Sequence, residues 1–176
     1  SNVEEQTAVL CSFSKVTFGG GGLSFAAAGQ KLFNLLVRQR ASMIVCSDKV
    51  NQMRHLEFLK NKEGILDHMK KHADLVRSKF EIAFEALDSL NSVIGKYKKP
   101  TGGYFISYNT SKPIAKRVIE LCKEAGVLIT PAGSTYPSFN DPHDSNIRLA
   151  PTFLSIKDLK DAMDVFITSL RIAHEE

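Results

Sequence analysis

Two basic residues in this chain stand where a charge needs a purpose. Lys15 lies in the run Cys11-Ser-Phe-Ser-Lys15-Val-Thr-Phe-Gly-Gly-Gly-Gly22, after a short β-type stretch (Ala8 to Cys11) and before four consecutive glycines. An amine that ends an apolar, buried-looking strand and opens onto a flexible loop can shed water and attack aldehydes. On local evidence alone, a surface lysine in a glycine loop fits as well. Arg148 lies in Asn146-Ile-Arg-Leu-Ala150, between apolar neighbours. Partial burial of a guanidinium is costly without a partner. Its planar fork can hold a carboxylate through two parallel hydrogen bonds, which lysine cannot. That carboxylate is either an acidic side chain of the same protein or part of a ligand.

Other residues offer weaker chemistry. Ser12, three positions before the lysine, could bond a phosphate oxygen or its own backbone. Gly19 to Gly22 could turn backbone N–H groups toward an anion, or simply bend. His68 and His72 have the four-residue spacing of a metal pair, but Asp67, Lys70 and Lys71 surround them, and a solvated helix face is the expected reading. Asp141, His143 and Asp144 fall in a polar loop where turn chemistry explains them better than a metal.

The elements that must carry these residues follow from periodicity and punctuation. Strands are expected over 8–13 and 23–28, and a helix over 30–40 with Leu32, Phe33, Leu35 and Leu36 on its apolar side. Ser42 to Cys46 is ambiguous between strand and helix end. Asp48 can cap a helix to about Leu59. Apolar residues from Ile65 to Ile94 recur at helical spacing and predict a helix over 63–94, stopped by Gly95. Gly102 to Tyr108 reads as a strand, Ser111 with Pro113 as the start of a helix ending at Ala125-Gly126, and Val127 to Thr130 as a further strand. Residues 131–145 form a long loop of the kind that is often functional. Asn146 to Ala150 returns as a strand. Ser155-Ile-Lys-Asp158 opens the last helix, with Leu159, Met163, Phe166 and Leu170 on one face. Strands alternating with helices give an α/β or α+β layered domain.

The 176 residues are 43% hydrophobic, enough for one respectable core. Twenty-three basic against 19 acidic residues leave a formal charge of +4. They are interspersed, with no arm or stripe for nucleic acid. No apolar run approaches a membrane span, and no signal-peptide pattern is visible. The three cysteines, Cys11, Cys46 and Cys122, are widely spaced in apolar surroundings, so reduced core cysteines in a cytoplasmic protein are expected. Ser1-Asn2 reads as a scar of tag cleavage.

Four motifs occur in a telling order: Ser12-Phe-Ser-Lys15, Gly102-Gly-Tyr-Phe105, Ala125-Gly-Val-Leu-Ile-Thr-Pro-Ala-Gly133, and Asn146-Ile-Arg148-Leu. In that order and spacing the chain resembles the pyridoxal 5'-phosphate (PLP)-dependent aminotransferases of fold type I, in particular a bacterial aspartate-type branch, over nearly its whole length. The resemblance implies the C-terminal domain of that fold, helices packed on a small sheet. Residues 1–41 would be a remnant of the large cofactor domain and 42–176 the small domain. It implies a Schiff base between Lys15 and PLP, with Lys15 also moving the substrate α-proton. Ser12, Ser14 and Gly20 would join Lys15 in holding the cofactor, and Arg148 would grip the substrate carboxylate. Amino acids and 2-oxo acids would be the substrates and a homodimer the assembly.

Departures accompany it. Many relatives carry a phosphate-pairing arginine eight residues after the lysine, where this chain has Leu23. Ser47 to Gln52 falls where relatives reach across a dimer interface, although a helix cap at Asp48 explains it equally. By the resemblance the long loop borders the substrate entrance, where His143 could influence specificity. The family's acidic partner of the pyridine nitrogen and its ring-stacking aromatic precede the lysine, so the chain is expected to be the carboxy-terminal piece of an enzyme, inactive alone. Two other functions share these features: an effector-binding module of a transcription regulator, and a PLP-dependent lyase or decarboxylase.

Overall fold

A computed structural model describes residues 3–176, and Ser1-Asn2, with the reading placed on it, lies outside the described residues. The chain divides into two compact units, Ser1–Ala73 and Asp74–Glu176.

In the first unit, β1 (Ala8–Ser12) and β2 (Ser24–Ala28) form an antiparallel ribbon with Ala8 opposite Ala28 and Ser12 opposite Ser24. Helices α1 (Gln30–Met43) and α2 (Lys49–Leu59) follow, and α3 (Lys62–Asp88) begins. Asp48 caps α2 as expected, its Oδ1 accepting from the Asn51 N–H at 2.9 Å. Every residue of β1 is exposed, which corrects the expectation of a buried lysine strand. A two-stranded ribbon has no second layer of its own to bury against. The apolar residues Phe33, Leu35 and Leu36 of α1 are likewise exposed. Cys11 and Cys46 are exposed free thiols rather than core residues, and only Cys122 is buried.

The second unit holds the core. Strands β3 (Gly95–Tyr97), β4 (Ile106–Thr110) and β5 (Asn146–Leu149) form an antiparallel sheet with β4 central. Ile106 and Tyr108 of β4 and Ile147 and Leu149 of β5 are buried with Val118 and Cys122 of α4 (Ala115–Glu124) and with α5 (Ile156–Glu175). Along α5, Leu159, Met163, Phe166, Leu170 and Ala173 are buried at alternating steps of four and three, one stripe of a 3.6-residue helix. Ser155 caps it, accepting from the Asp158 N–H. At the end of α4, Gly126 takes φ +86° while its N–H and that of Val127 return to the carbonyls of Lys123 and Cys122. This left-handed cap is one that glycine adopts without a Cβ penalty.

Boundaries differ from expectation in several places, and β4 runs Ile106–Thr110 where a strand over Gly102 to Tyr108 is expected. Helix α3 stops at Asp88, and Gly95 opens a strand instead of ending a helix. A Cβ there would lie 2.6 Å from both the Asn109 carbonyl oxygen and the Tyr108 hydroxyl, so the close approach of β3 to β4 requires glycine. Ser111 does not start α4, because its hydroxyl bonds the carbonyl of Ile94. Residues 127–130 form no strand, since the ladder ends at β3 on one side and β5 on the other and leaves them unpaired. No helix of the described residues is long and apolar enough to cross a membrane.

Candidate functional site

Lys15 sits on a single turn just past β1. The Phe13 carbonyl accepts from the N–H groups of Val16 at 2.9 Å and Thr17 at 3.1 Å, while the Phe13 N–H donates to the Leu23 carbonyl at 2.8 Å and closes the base of the loop. Ser12, Ser14 and Lys15 are exposed on this turn. The Ser12 hydroxyl donates to Ser14 Oγ at 2.8 Å, so the structure brings both predicted serines together beside the lysine. Gly20 adopts φ +78° and remains open to solvent. A Cβ on Gly22 would lie 2.6 Å from Ser14 Oγ, so a larger residue there would collide with the hydroxyl pair. Leu23 lines a groove of about 550 Å³ with Phe13, Phe25, Met53 and Leu56.

Residues unmarked by the sequence reading hold this turn. His55, buried to 2% exposure, lies 2.7 Å from Thr17 Oγ1, and Asn51 donates through Nδ2 to the carbonyls of Gly21 and Gly22. His68 contacts the Val16 carbonyl at 2.5 Å through Nε2 and packs edge-on against Phe58. The expected solvated face at His68 is therefore corrected: an imidazole combines an apolar ring with a hydrogen-bonding edge, and both are used. Asn51 and His55 lie one helical turn apart, but nothing in the sequence tells that their face meets a loop some thirty to forty residues away.

Arg148 belongs to the second unit. On β5 it alternates with the buried Ile147 and Leu149 and so faces the other side of the sheet, opposite Ser107 of β4. Asn146 shares that face and donates to Ser107 Oγ and Asn109 Oδ1, both at 2.9 Å. The guanidinium carbon lies 4.7 Å from the centroid of the Phe105 ring, within cation–π range. Nη2 is 3.5 Å from Thr130 Oγ1, and Nε is buried without a hydrogen-bond partner among the described residues. No carboxylate of the described residues forms an ion pair with it. A cleft of about 120 Å³ lies beside it, lined by Ile129, Thr130, Ala150 and Pro151. A half-buried cation stacked on an aromatic ring, with an unsatisfied N–H and a cleft alongside, can receive an anion. Phe105 was visible in the Gly-Gly-Tyr-Phe motif, but nothing in the sequence placed it on Arg148.

The long loop is built by turn chemistry, as expected. Asp141 accepts from the N–H groups of His143, Ser145 and Asn146 at 2.8–2.9 Å. Burial pushes its carboxyl up, and the three N–H donors outweigh that and hold it below the usual value. Asp144 caps α4 from outside the helix, its carbonyl accepting from the Ala115 N–H and its Oδ1 from Lys116. His143 is exposed.

A family model described as aspartate amino-transferase matches residues 3–176. The chain belongs to this family. An aspartate aminotransferase of Corynebacterium glutamicum is 37% identical over 167 residues, 94% of this chain and 39% of the relative. A solved aspartate transaminase from the same species superposes with a TM-score of 0.86 at 36% identity, covering 93% of this chain and 39% of that one. The chain thus spans about two fifths of the length of these relatives, and its fold is that of a portion of a fold type I aminotransferase. The HTH-type transcriptional regulator NorG of Staphylococcus aureus is 28% identical over 156 residues, 88% of this chain and 34% of NorG. The fold also matches LysN, an α-aminoadipate aminotransferase of Thermus thermophilus solved with N-(5'-phosphopyridoxyl)-L-leucine. There the TM-score is 0.81 at 24% identity, over 96% of this chain and 42% of LysN.

Proposed function

We propose that this chain is the carboxy-terminal portion of a PLP-dependent aminotransferase that moves an amino group between an amino acid and a 2-oxo acid. The observation that carries the reading is Arg148, a half-buried guanidinium with no ion-pair partner among the described residues and a cleft beside it. It suits a substrate α-carboxylate, the group that amino acids and 2-oxo acids share.

The lysine turn suits the cofactor. Two hydroxyls 2.8 Å apart, with the glycine loop beside them, form a donor set for a phosphate monoester. Lys15 on the same turn supplies the amine for attachment. Ser12, Ser14 and Gly20 would hold the phosphate end, taking over part of the task of the arginine that Leu23 replaces. Bound PLP supplies an electron sink for the substrate α-carbon. Lys15 Nζ then serves as the base that carries the α-proton, and Arg148 orients the substrate by its carboxylate. Residues 1–41 correspond in this reading to part of the cofactor domain and 42–176 to the small domain. The whole enzyme is a cytoplasmic homodimer, and the isolated chain does not turn over.

The similarity to NorG supports a second reading, an effector-binding module of a transcription regulator. The higher identity to an aspartate aminotransferase favours the enzyme.

The first measurement is the mass and amino-terminal sequence of the full-length gene product. A much longer product is then mixed with PLP, and its visible absorbance compared with that of Lys15→Ala and Arg148→Lys variants. The enzyme reading expects the band to vanish in Lys15→Ala. It expects Arg148→Lys to keep the band while kcat/KM falls about a hundredfold or more, the loss of one charge-assisted fork being worth about 3 kcal/mol. An unchanged band in Lys15→Ala refutes the attachment site, and robust transamination by the isolated 176-residue chain refutes its assignment as an incomplete portion.

A further inference from the structure

We propose that His55, through Thr17, and His68, through the Val16 carbonyl, form a two-sided latch that sets the conformation of the lysine turn. They act as positioning residues for Lys15, and the inference rests on the reading of Lys15 as the attachment point.

The hydrogen-bond wiring places a proton on one nitrogen of each imidazole. His55 Nδ1 lies 2.8 Å from the Asn51 carbonyl oxygen, which can only accept, so Nδ1 carries a proton. Nε2 shares a 2.7 Å hydrogen bond with the Thr17 hydroxyl. The same hydroxyl lies 3.2 Å from the Phe13 carbonyl. His68 Nε2 faces the Val16 carbonyl, which can only accept, so that nitrogen donates. The two rings bond consecutive residues, Val16 and Thr17, immediately after Lys15.

Packing fixes both rings. His55 meets Phe18 edge-on at 5.1 Å and Phe13 at 6.3 Å, Phe18 packs on Phe58 at 5.0 Å, and Phe58 meets His68 edge-on at 5.0 Å. The row Phe13, His55, Phe18, Phe58, His68 packs rings of the turn against rings of α2 and α3. It contains His55, which with Leu59 makes up the buried residues of the first unit among those described. Burial so concentrated, under one turn, with both polar edges of His55 bonded, is an arrangement for holding that turn. Thr17 is the hinge of the device, because its N–H closes the turn on Phe13 while its hydroxyl is bound to His55.

The test uses the full-length protein with three substitutions: Thr17→Val, nearly isosteric but without a hydroxyl; Thr17→Ser, which restores it; and His68→Gln, which keeps a donor on a different frame. Two readouts are taken. Amide hydrogen exchange reports on residues 14–22. Borohydride trapping of added PLP, followed by peptide mass spectrometry, gives the rate of adduct formation at Lys15 relative to the exposed Lys31 of α1. Loss of one hydrogen bond, about 1 kcal/mol, corresponds to about a fivefold change. Thr17→Val is expected to speed exchange over 14–22 and to lower the Lys15 preference by about that factor, with Thr17→Ser restoring both and the amides of β4 and α5 unaffected. His68→Gln is expected to fall between. A Lys15 preference that survives Thr17→Val overturns the latch, whether or not exchange changes. Absence of any Lys15 preference in the unsubstituted protein overturns instead the attachment reading on which the latch depends, so the two failures are told apart.

Discussion

Asp141 illustrates how a single side chain can organise a long loop. Its carboxylate gathers three N–H groups within five residues and caps nothing regular, yet β5 begins at one of its donors, Asn146. Because its folded carboxyl titrates below the unfolded value of 3.8, its contribution is complete above that pH and is lost as pH falls through the lower folded value. Asp141→Ala is expected to cost about 3 kcal/mol at neutral pH, the range for hydrogen bonds to an ionised acceptor. Chemical denaturation at pH 7 and again near pH 3 checks this: the gap between parent and variant must narrow in acid, and a gap independent of pH would count against the charge. The type of these residues was legible, since Asp, Pro, His and Asp in a row announce a turn. Arg148 was equally legible as a cation among apolar neighbours. Its stacking on Phe105 was not, because that contact joins residues forty-three positions apart in the chain.

At the level of elements, amphipathic periodicity carried well where one face meets a core. Helix α5 was visible as Leu159, Met163, Phe166 and Leu170, and all four are buried. Phe166, 1% exposed, meets Tyr108 edge-on at 6.0 Å and ties the helix to the centre of the sheet. Phe166→Ala is expected to lower stability by about 3–5 kcal/mol, the usual range for emptying such a site. Ser155→Ala should cost about 1 kcal/mol through the lost cap. Denaturation midpoints of the two variants test the ranking, and a cap loss as large as the core loss would show that α5 is held by its end rather than its face. Strand readings were less secure. Residues 127–130 have the composition of a strand but no neighbour to pair with, and β3 is too short to show a period-two pattern. A strand exists only through its partner.

At the scale of the whole molecule, the two units differ in how much they bury. Among the described residues, all but two of the buried positions lie in the second unit, whose strands and helices share one cluster. In the first unit Leu10 is 74% exposed and Val45 entirely so. Local opening is easiest where few apolar contacts are made. The amides of β1, β2 and α1 in the isolated chain are therefore expected to exchange at least tenfold faster than those of β4, β5 and α5. Equal protection across both units would contradict the burial pattern.

The sequence by itself determined the family resemblance, the helix caps at Asp48 and Ser155, the apolar stripe of α5 and the identity of the chemically capable residues. Those depend on residue type and short spacing, which a one-dimensional string records. Tertiary structure alone decided that β1 is exposed, that 127–130 remain unpaired, that Phe105 stacks on Arg148, and that His55 and His68 close on the lysine turn from helices some forty and fifty residues downstream. Each of those depends on which distant surfaces meet, and local propensity carries no information about that.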